Sequence, residues 1–380
     1  MDHRRPVHRG AGARPRAGAG RCAGNGIGHP CVPSTKWGVI IHIVHVVCSD
    51  GFAGVERYIA TTARGLCEQG LRVTVIGGAA GDMRRQLDGL DVTVLPGDSI
   101  IQAWRSLRGV DRPDVVNTHM TEADLVGAVY RRRARRVAHI STRHFGAPRG
   151  SSLPSRAAAG FVRRGLRAQI AISRFVARSI DGASDVVHTG VENSAMPPRR
   201  EREPVALVAQ RLEPEKHTAL AVRAWAASGA AATGWRLDIA GAGSQRRSLE
   251  QLSAELNVTD SVRFLGLCTD LDQRMARAGV LIAPTPREGL GLSVLEAMAH
   301  ALPVVAARSG GHLETVGAVP GAALFEPDDA VAAALQINRL ISDPGLRDAY
   351  GAQLQQAQRE QFSIAAQIDR TIAIYRRVVE

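Results

Sequence analysis

Four charged side chains and a short run of glycines carry the chemistry this sequence offers. Arg211 and Lys216 lie five residues apart in "AQRLEPEKH" (209–217), and Glu288 and Glu296 lie either side of a Gly-Leu-Gly turn in "REGLGLSVLEAMAHALPVV" (287–305). Lysine occurs only twice, at Lys36 and Lys216, against 48 − 2 = 46 arginines, so Lys216 stands out from the basic background. An ammonium is a compact point charge for phosphate oxygens, and a guanidinium can fork onto two of them. The pair can therefore clamp a diphosphate. Gly289 and Gly291 permit close backbone approach, and the helix start that follows them, from about Leu292, offers free N–H groups to an anion. Glu296, eight residues beyond Glu288, can turn back and accept from two vicinal hydroxyls, as a ribose presents. Taken singly, each pair reads as solvated charge; taken together they describe a site for a nucleoside diphosphate.

These groups need elements to position them. "GVIIHIVHVV" (38–47) is short and β-branched and predicts a buried strand. A helix follows with Val55, Ile59, Thr62 and Leu66 on one face; Gly70 ends it, and "LRVTVIGG" supplies the next strand. Further strands are predicted at 92–95, 114–118, 137–142, 168–173 and 185–190. After a polar, proline-bearing linker (192–204) the alternation restarts. It gives strands at 205–212, 235–243, 262–266, 280–285 and 303–307, with helices from about 216 and 292. Alternating strands and helices predict an α/β fold of two Rossmann-like halves, with a ligand in the cleft between their strand ends. "AGAGS" (240–244) resembles a dinucleotide turn, but Arg246 occupies its third glycine position and no acidic ribose partner follows. Close backbone packing is its simpler reading.

The formal net charge is +12, and residues 1–36 hold seven basic residues and one acid, 7 − 1 = +6. That Gly/Ala/Arg/Pro-rich segment has no apolar period and predicts a disordered tail or a misassigned start. Arg4-Arg5 is not followed by an apolar stretch, so it is not read as an export signal. Five cysteines (Cys22, Cys31, Cys48, Cys67 and Cys268) lack Cys-x-x-Cys spacing and predict neither a disulfide framework nor a zinc site. No apolar run reaches membrane-spanning length, and the expected location is cytoplasmic.

"RLEPEK", "PTPREGLGLSVLEAMAHALPVVA" and "SGGHLE" together resemble the retaining, GT-B-fold glycosyltransferases of family 4 (group 1 glycosyltransferases). The similarity continues through "GFAGVERY", "DVVNTH", "STRHFG", "AISRF" and "HTGVE", so that it spans nearly all of 37–380. Five positions depart from the family pattern: Gln210, His217 and Ala301 stand where glycine is usual, and Ala53 and Glu192 replace a glycine and an aspartate.

The resemblance implies an N-terminal acceptor domain (37–191) and a C-terminal donor-nucleotide domain (205–361), with a final helix, about 362–380, packing back on the first. It implies that Arg211 and Lys216 bind the donor diphosphate and stabilise the leaving group, and that Glu296 takes the ribose. Glu288 would lie near the donor sugar with the backbone of Gly289, Leu290, Gly291 and Leu292 alongside. Gly54 would lie close to the diphosphate and His144 beside the reacting sugar. The implied activity is retaining hexosyl transfer from a nucleotide-diphospho-sugar, a substrate rather than a cofactor, to an acceptor hydroxyl in cell-envelope glycolipid or polysaccharide synthesis. No Asp-x-Asp pair stands out, so no metal is expected. The expected acceptor is lipid-linked, phosphorylated or a glycan. Basic residues of the first domain ("RRRARR" at 131–136, Arg143, Arg149, Arg156, Arg163, Arg164 and Arg167) suggest an anionic membrane surface at the inner face of the plasma membrane. A sugar-nucleotide epimerase on the same fold is one alternative. A nucleic-acid-binding protein is the other, and the lack of aromatic platforms beside the basic run speaks against it.

Overall fold

The computed structural model describes residues 41–149, 153–194 and 202–380. The basic segment 1–36, Cys22, Cys31 and the middle of the 192–204 linker lie outside the described residues.

Seven parallel strands form the first sheet: β1 (His42–Val47), β2 (Arg72–Ile76), β3 (Val92–Leu95), β4 (Val115–His119), β5 (Ala138–Arg143), β6 (Ala168–Ala171) and β7 (Asp185–Val186). Six form the second: β8 (Val205–Ala209), β9 (Arg236–Ala240), β10 (Val262–Gly266), β11 (Val280–Ala283), β12 (Val304–Ala307) and β13 (Leu324–Phe325). Their orders are β3-β2-β1-β4-β5-β6-β7 and β10-β9-β8-β11-β12-β13. Helices cover both faces of a parallel sheet, which is why β1, β4, β8 and β11 are buried end to end, and β8 and β11 read as unbroken apolar runs. The chain direction across each sheet reverses between β1 and β4 and between β8 and β11. Those two switch points open crevices at the carboxyl ends of the strands, where α/β sheets bind ligands.

Several predicted strands are shorter than expected. β8 stops at Ala209 rather than 212, although the Gln210 and Leu212 N–H groups still donate to the Ala240 and Ala242 carbonyls. β6 stops at Ala171, since Ser173 caps the helix Arg174–Ser179 by accepting from the Val176 N–H. The helix expected from 216 is divided: Pro214–Lys216 form a 3-10 turn, His217 adopts φ +51°, and the α-helix runs Thr218–Ser228. Gly241 and Gly243 are packing glycines, as a Cβ on them would sit 1.8 Å from the Gln210 carbonyl and 2.4 Å from that of Leu212.

The last helix, Ile364–Val379, lies against the helix Gly54–Glu68 of the first half. Gln367 bridges there, accepting from the Gly190 N–H at 2.7 Å and donating to Thr62 Oγ1 at 2.8 Å. Asn117 on β4 donates to the Tyr375 hydroxyl.

Candidate functional site

The two switch points face one cavity of about 610 Å³, lined by Gly54, His144, Gln210, Arg211, Lys216, Glu288, Gly289, Leu290, Gly291, Leu292 and His312, among others. Two helices begin at its wall. In the Gly54–Glu68 helix the first intrahelical bond is Arg57 N–H to the Ala53 carbonyl; Ala53 has no side-chain acceptor, and the Glu56 carboxylate of the first turn accepts from the Ala53 N–H at 2.9 Å. In the Leu292–Ala299 helix the first is Leu295 N–H to the Gly291 carbonyl, and Gly291, at φ +91°, again caps nothing. Helix geometry leaves the N–H groups of Gly54, Val55 and Glu56, and of Leu292, Ser293 and Val294, without intrahelical acceptors. Each helix start also carries the positive end of its dipole. Both axes therefore present the cavity with groups an anion satisfies. A Cβ built on Gly54 meets nothing within 4 Å, so this glycine leaves room in the cavity rather than serving packing.

Lys216 and Glu288 meet across the cavity at 2.6 Å, Nζ to Oε2, with side chains 19% and 22% exposed. Glu288 Oε1 also accepts from the Gly289 N–H at 3.2 Å. The Glu288–Gly291 turn rests on "SGGHLE": Gly311 N–H donates to the Glu288 carbonyl at 2.8 Å. A Cβ on Gly310 would lie 2.4 Å from the Glu288 oxygen, and one on Gly311 2.4 Å from Leu290 Cα. Only glycine allows that shelf.

Arg211 reaches the cavity wall, but its guanidinium bonds Glu215 Oε1 at 2.8 Å, with the side chain 66% exposed. The structure thus brings Lys216 and Glu288 together and leaves Arg211 turned outward onto an exposed pair of the kind that contributes little.

Glu296 lines an adjoining cavity of about 570 Å³ with Arg57, Cys268, Thr269, Leu271 and Asp272; Tyr58, Thr189 and Leu292 border both cavities. Its carboxylate has no hydrogen-bond partner among the described residues. Burial raises its pKa, and the charge of Arg57 from the opposite half pulls the other way. The half-buried carboxylate lies at the cavity wall, where ligand hydroxyls can donate to it.

Three residues of the site were not foreseen. Gln210, where the family has glycine, donates to the Lys216 carbonyl and to Thr218 Oγ1, both at 2.9 Å, and accepts from Thr285 Oγ1 at 2.9 Å. It is a strut that fixes the Lys216 turn. Thr285 completes it, and His312 lies behind Glu288, with Nδ1 3.1 Å from the Ala307 carbonyl. His217 and Ala301, the other two departures from glycine, have φ +51° and +52°, which shows why glycine suits those positions.

The halves also touch directly. Ser173 Oγ donates to the Gly289 carbonyl at 2.6 Å. Glu314 accepts from the Arg174 and Phe175 N–H groups and pairs with His188 Nε2 at 2.9 Å.

The basic face of the first half is smaller than expected. Arg149 is interior, binding Asp124 at 2.6 Å and Asp181 at 3.0 Å, and Arg143 binds Asp181 at 2.9 Å. Arg132, Arg133, Arg135, Arg136, Arg163, Arg164 and Arg167 remain exposed, and the Arg156 side chain lies outside the described residues. Arg132 and Arg133 lie over the rings of Phe161 and Trp104.

Two parallel Rossmann-like halves closing on such a cleft define the GT-B class of glycosyltransferases. The family model "Glycosyl transferases group 1" matches residues 192–357, and "Glycosyltransferase Family 4" matches residues 52–195. The chain belongs to this glycosyltransferase family. Among curated relatives it is 34% identical over 111 residues to the putative glycosyltransferase EpsD of Bacillus subtilis, covering 29% of each chain. It is 30% identical over 141 residues to the lipopolysaccharide core biosynthesis glycosyltransferase LpsD of Rhizobium meliloti, covering 37% of this chain and 41% of that one. The aligned stretches thus span less than half the length of these relatives. The crystal structure of Anabaena HepE in complex with UDP-glucose shares the fold, with a TM-score of 0.73, 20% identity, and coverage of 88% of this chain and 99% of that one. No helix among the described residues is long and apolar enough to cross a membrane.

Proposed function

We propose that this chain moves a sugar from a nucleoside-diphospho-sugar to an acceptor hydroxyl with retention at the anomeric carbon and without a metal ion. The observation that carries the reading is two helix starts and Lys216 converging on one cavity, beside a second cavity lined by Glu296. Breaking the bond between the anomeric carbon and the diphosphate oxygen places negative charge on the leaving group. Groups already aimed at that charge favour the transition state over the ground state. One charge pair at about 4 Å with an effective dielectric near 20 is worth on the order of 4 kcal/mol, so Lys216 and two helix ends can do the work of a cation.

In this reading the donor diphosphate exchanges places with Glu288 on Lys216, and the released Glu288 accepts from sugar hydroxyls. Glu296 accepts from the ribose, and Arg211 swings from Glu215 to the phosphates. The acceptor oxygen bonds the anomeric carbon as the diphosphate leaves, and its proton passes to the departing diphosphate oxygen. His144 is a poor base for it, since burial pushes its pKa down to about 3.

UDP-glucose in the HepE complex supports a nucleotide-sugar donor, and the lipopolysaccharide core biosynthesis in the name of LpsD supports a role in envelope polysaccharide or glycolipid synthesis. The exposed arginines at 132–133 and 163–167 suit a lipid-linked or phosphorylated acceptor at an anionic membrane surface. The test is incubation with UDP-, GDP- or ADP-glucose and lipid-linked acceptors in excess EDTA, with the new linkage read by proton NMR. The donor's anomeric configuration should be kept; an inverted product, or activity that EDTA abolishes, overturns the reading.

A further inference from the structure

Three histidines form a line through the interior of the first half and end at the cavity. His45 Nδ1 is 3.0 Å from His119 Nε2, and His119 Nδ1 is 3.0 Å from His144 Nε2. Consecutive ring centroids are 5.3 Å apart, and Tyr58 sets its ring edge-on to His119 and His144. All three side chains are buried. His144 borders the cavity; His45 Nε2, at the other end, has no hydrogen-bond partner.

The sequence builds this line through the sheet. β1 and β4 pair with His45 opposite Asn117 and Val47 opposite His119, so the two-residue period puts His45 and His119 on one face. Met120, directly after His119, is held at φ +72°, a conformation that non-glycine residues rarely take and that gathers at functional sites.

Burial pushes the pKa values of His45 and His144 down to about 3 and that of His119 well below its usual value. Each ring is therefore neutral and carries one N–H. Each nitrogen-to-nitrogen contact then needs one donor and one acceptor, so the three protons must all sit on Nδ1 or all on Nε2. The orphaned end decides between them. With every proton on Nε2, His45 would bury a donor with no acceptor; with every proton on Nδ1 it buries only a bare lone pair. Orphaned buried N–H groups are the rarer of the two in folded proteins. We propose that His45 and His119 are positioning residues that hold His144 in the Nδ1–H tautomer, leaving that N–H as a hydrogen-bond donor for the cavity. A neutral donor there suits a sugar hydroxyl or ring oxygen, a consequence that rests on the proposed donor-sugar site. The tautomer itself does not rest on it.

The first measurement is long-range proton–nitrogen correlation NMR on histidine-labelled protein without ligand. Nδ1–H patterns are expected for His45, His119 and His144; Nε2–H patterns, or a charged ring at pH 7, overturn the proposal whatever the enzyme's activity. The second uses His45→Leu, which removes the end of the line, and His45→Asn, whose amide can restore the N–H at the Nδ1 position. His45→Leu should leave His144 divided between tautomers and weaken binding of the matching nucleoside-diphospho-glucose roughly tenfold, with the bare nucleoside diphosphate bound as before. His45→Asn should recover most of that loss. Equal weakening of both ligands, or no difference between the two variants, would mean the line serves only packing.

Discussion

The two sides of the cleft are polar in opposite ways. On the C-terminal side, Lys216 and Glu288 are about a fifth exposed and form an ion pair with each other. On the N-terminal side, His45, His119 and His144 are buried and neutral, and each contact is a single shared proton. A charged pair at a cavity wall can change partners when a charged ligand arrives, because water and ligand both reach it. A dry neutral chain cannot migrate or recharge without losing its only partners, so it can hold a fixed direction. One side is therefore suited to exchange and the other to orientation.

The largest effect should come from the exchanging side. Lys216→Ala should lower turnover by roughly a hundredfold or more, by analogy with loss of one preorganised donor to a developing anion. Its folding should change little, because the residue lies at a cavity wall. Turnover in the wild-type range would remove Lys216 from the chemistry and break the contrast.

A second experiment separates the two carboxylates. Glu296→Gln should weaken a bare nucleoside diphosphate and its sugar conjugate alike, about tenfold, since its cavity adjoins rather than includes the Lys216 pair. Glu288→Gln should weaken the sugar conjugate more than the bare diphosphate. Calorimetric titration of both ligands against both variants reads the pattern; matching losses would merge the two roles.

The orienting side should show itself in acid. His45, His139 and His144 are held by burial with pKa values pushed down to about 3, against about 6.5 when unfolded. The unfolded chain therefore binds more protons between those values. The stability these groups contribute is complete above about pH 6.5 and is lost as pH falls toward 3. Each such histidine weakens the fold by about 1.4 kcal/mol per pH unit in that window. Urea midpoints should fall steadily from pH 7 to pH 5; an unchanged midpoint would mean the rings are not kept dry.

The smallest effect concerns neither side's chemistry. Ala301 holds φ +52° where glycine fits better, so Ala301→Gly should stabilise by about 1 kcal/mol or less in thermal unfolding, with activity unchanged. A loss of stability would show that the buried methyl outweighs the backbone strain.

Most of the fold was legible because parallel strands covered on both faces are mostly apolar, and β8 and β11 are written as unbroken apolar runs. Lys216 and Glu288 were legible for a different reason: one stood alone among arginines, and the other preceded a glycine turn. What stayed hidden is tertiary. His45 and His119 are separated by 74 residues and meet only through the pairing of β1 with β4. Their one trace in the sequence was a histidine within each of two buried strands. Arg149 read as surface charge because nothing local announces Asp124 and Asp181, 25 and 32 residues away. Gln210 looked like a lost glycine, and its strut appears only once Thr285 is beside it. β13, two residues long, has no period to read.

The central claim is that a nucleoside diphosphate is held by Lys216 between two helix starts. Thermal shift of the wild type and of Lys216→Ala with UDP, GDP and ADP, each with and without glucose, tests it most directly. At least one diphosphate should raise the wild-type melting temperature, and Lys216→Ala should lose most of that rise. No rise with any of the six ligands, or an equal rise in the variant, would contradict the account.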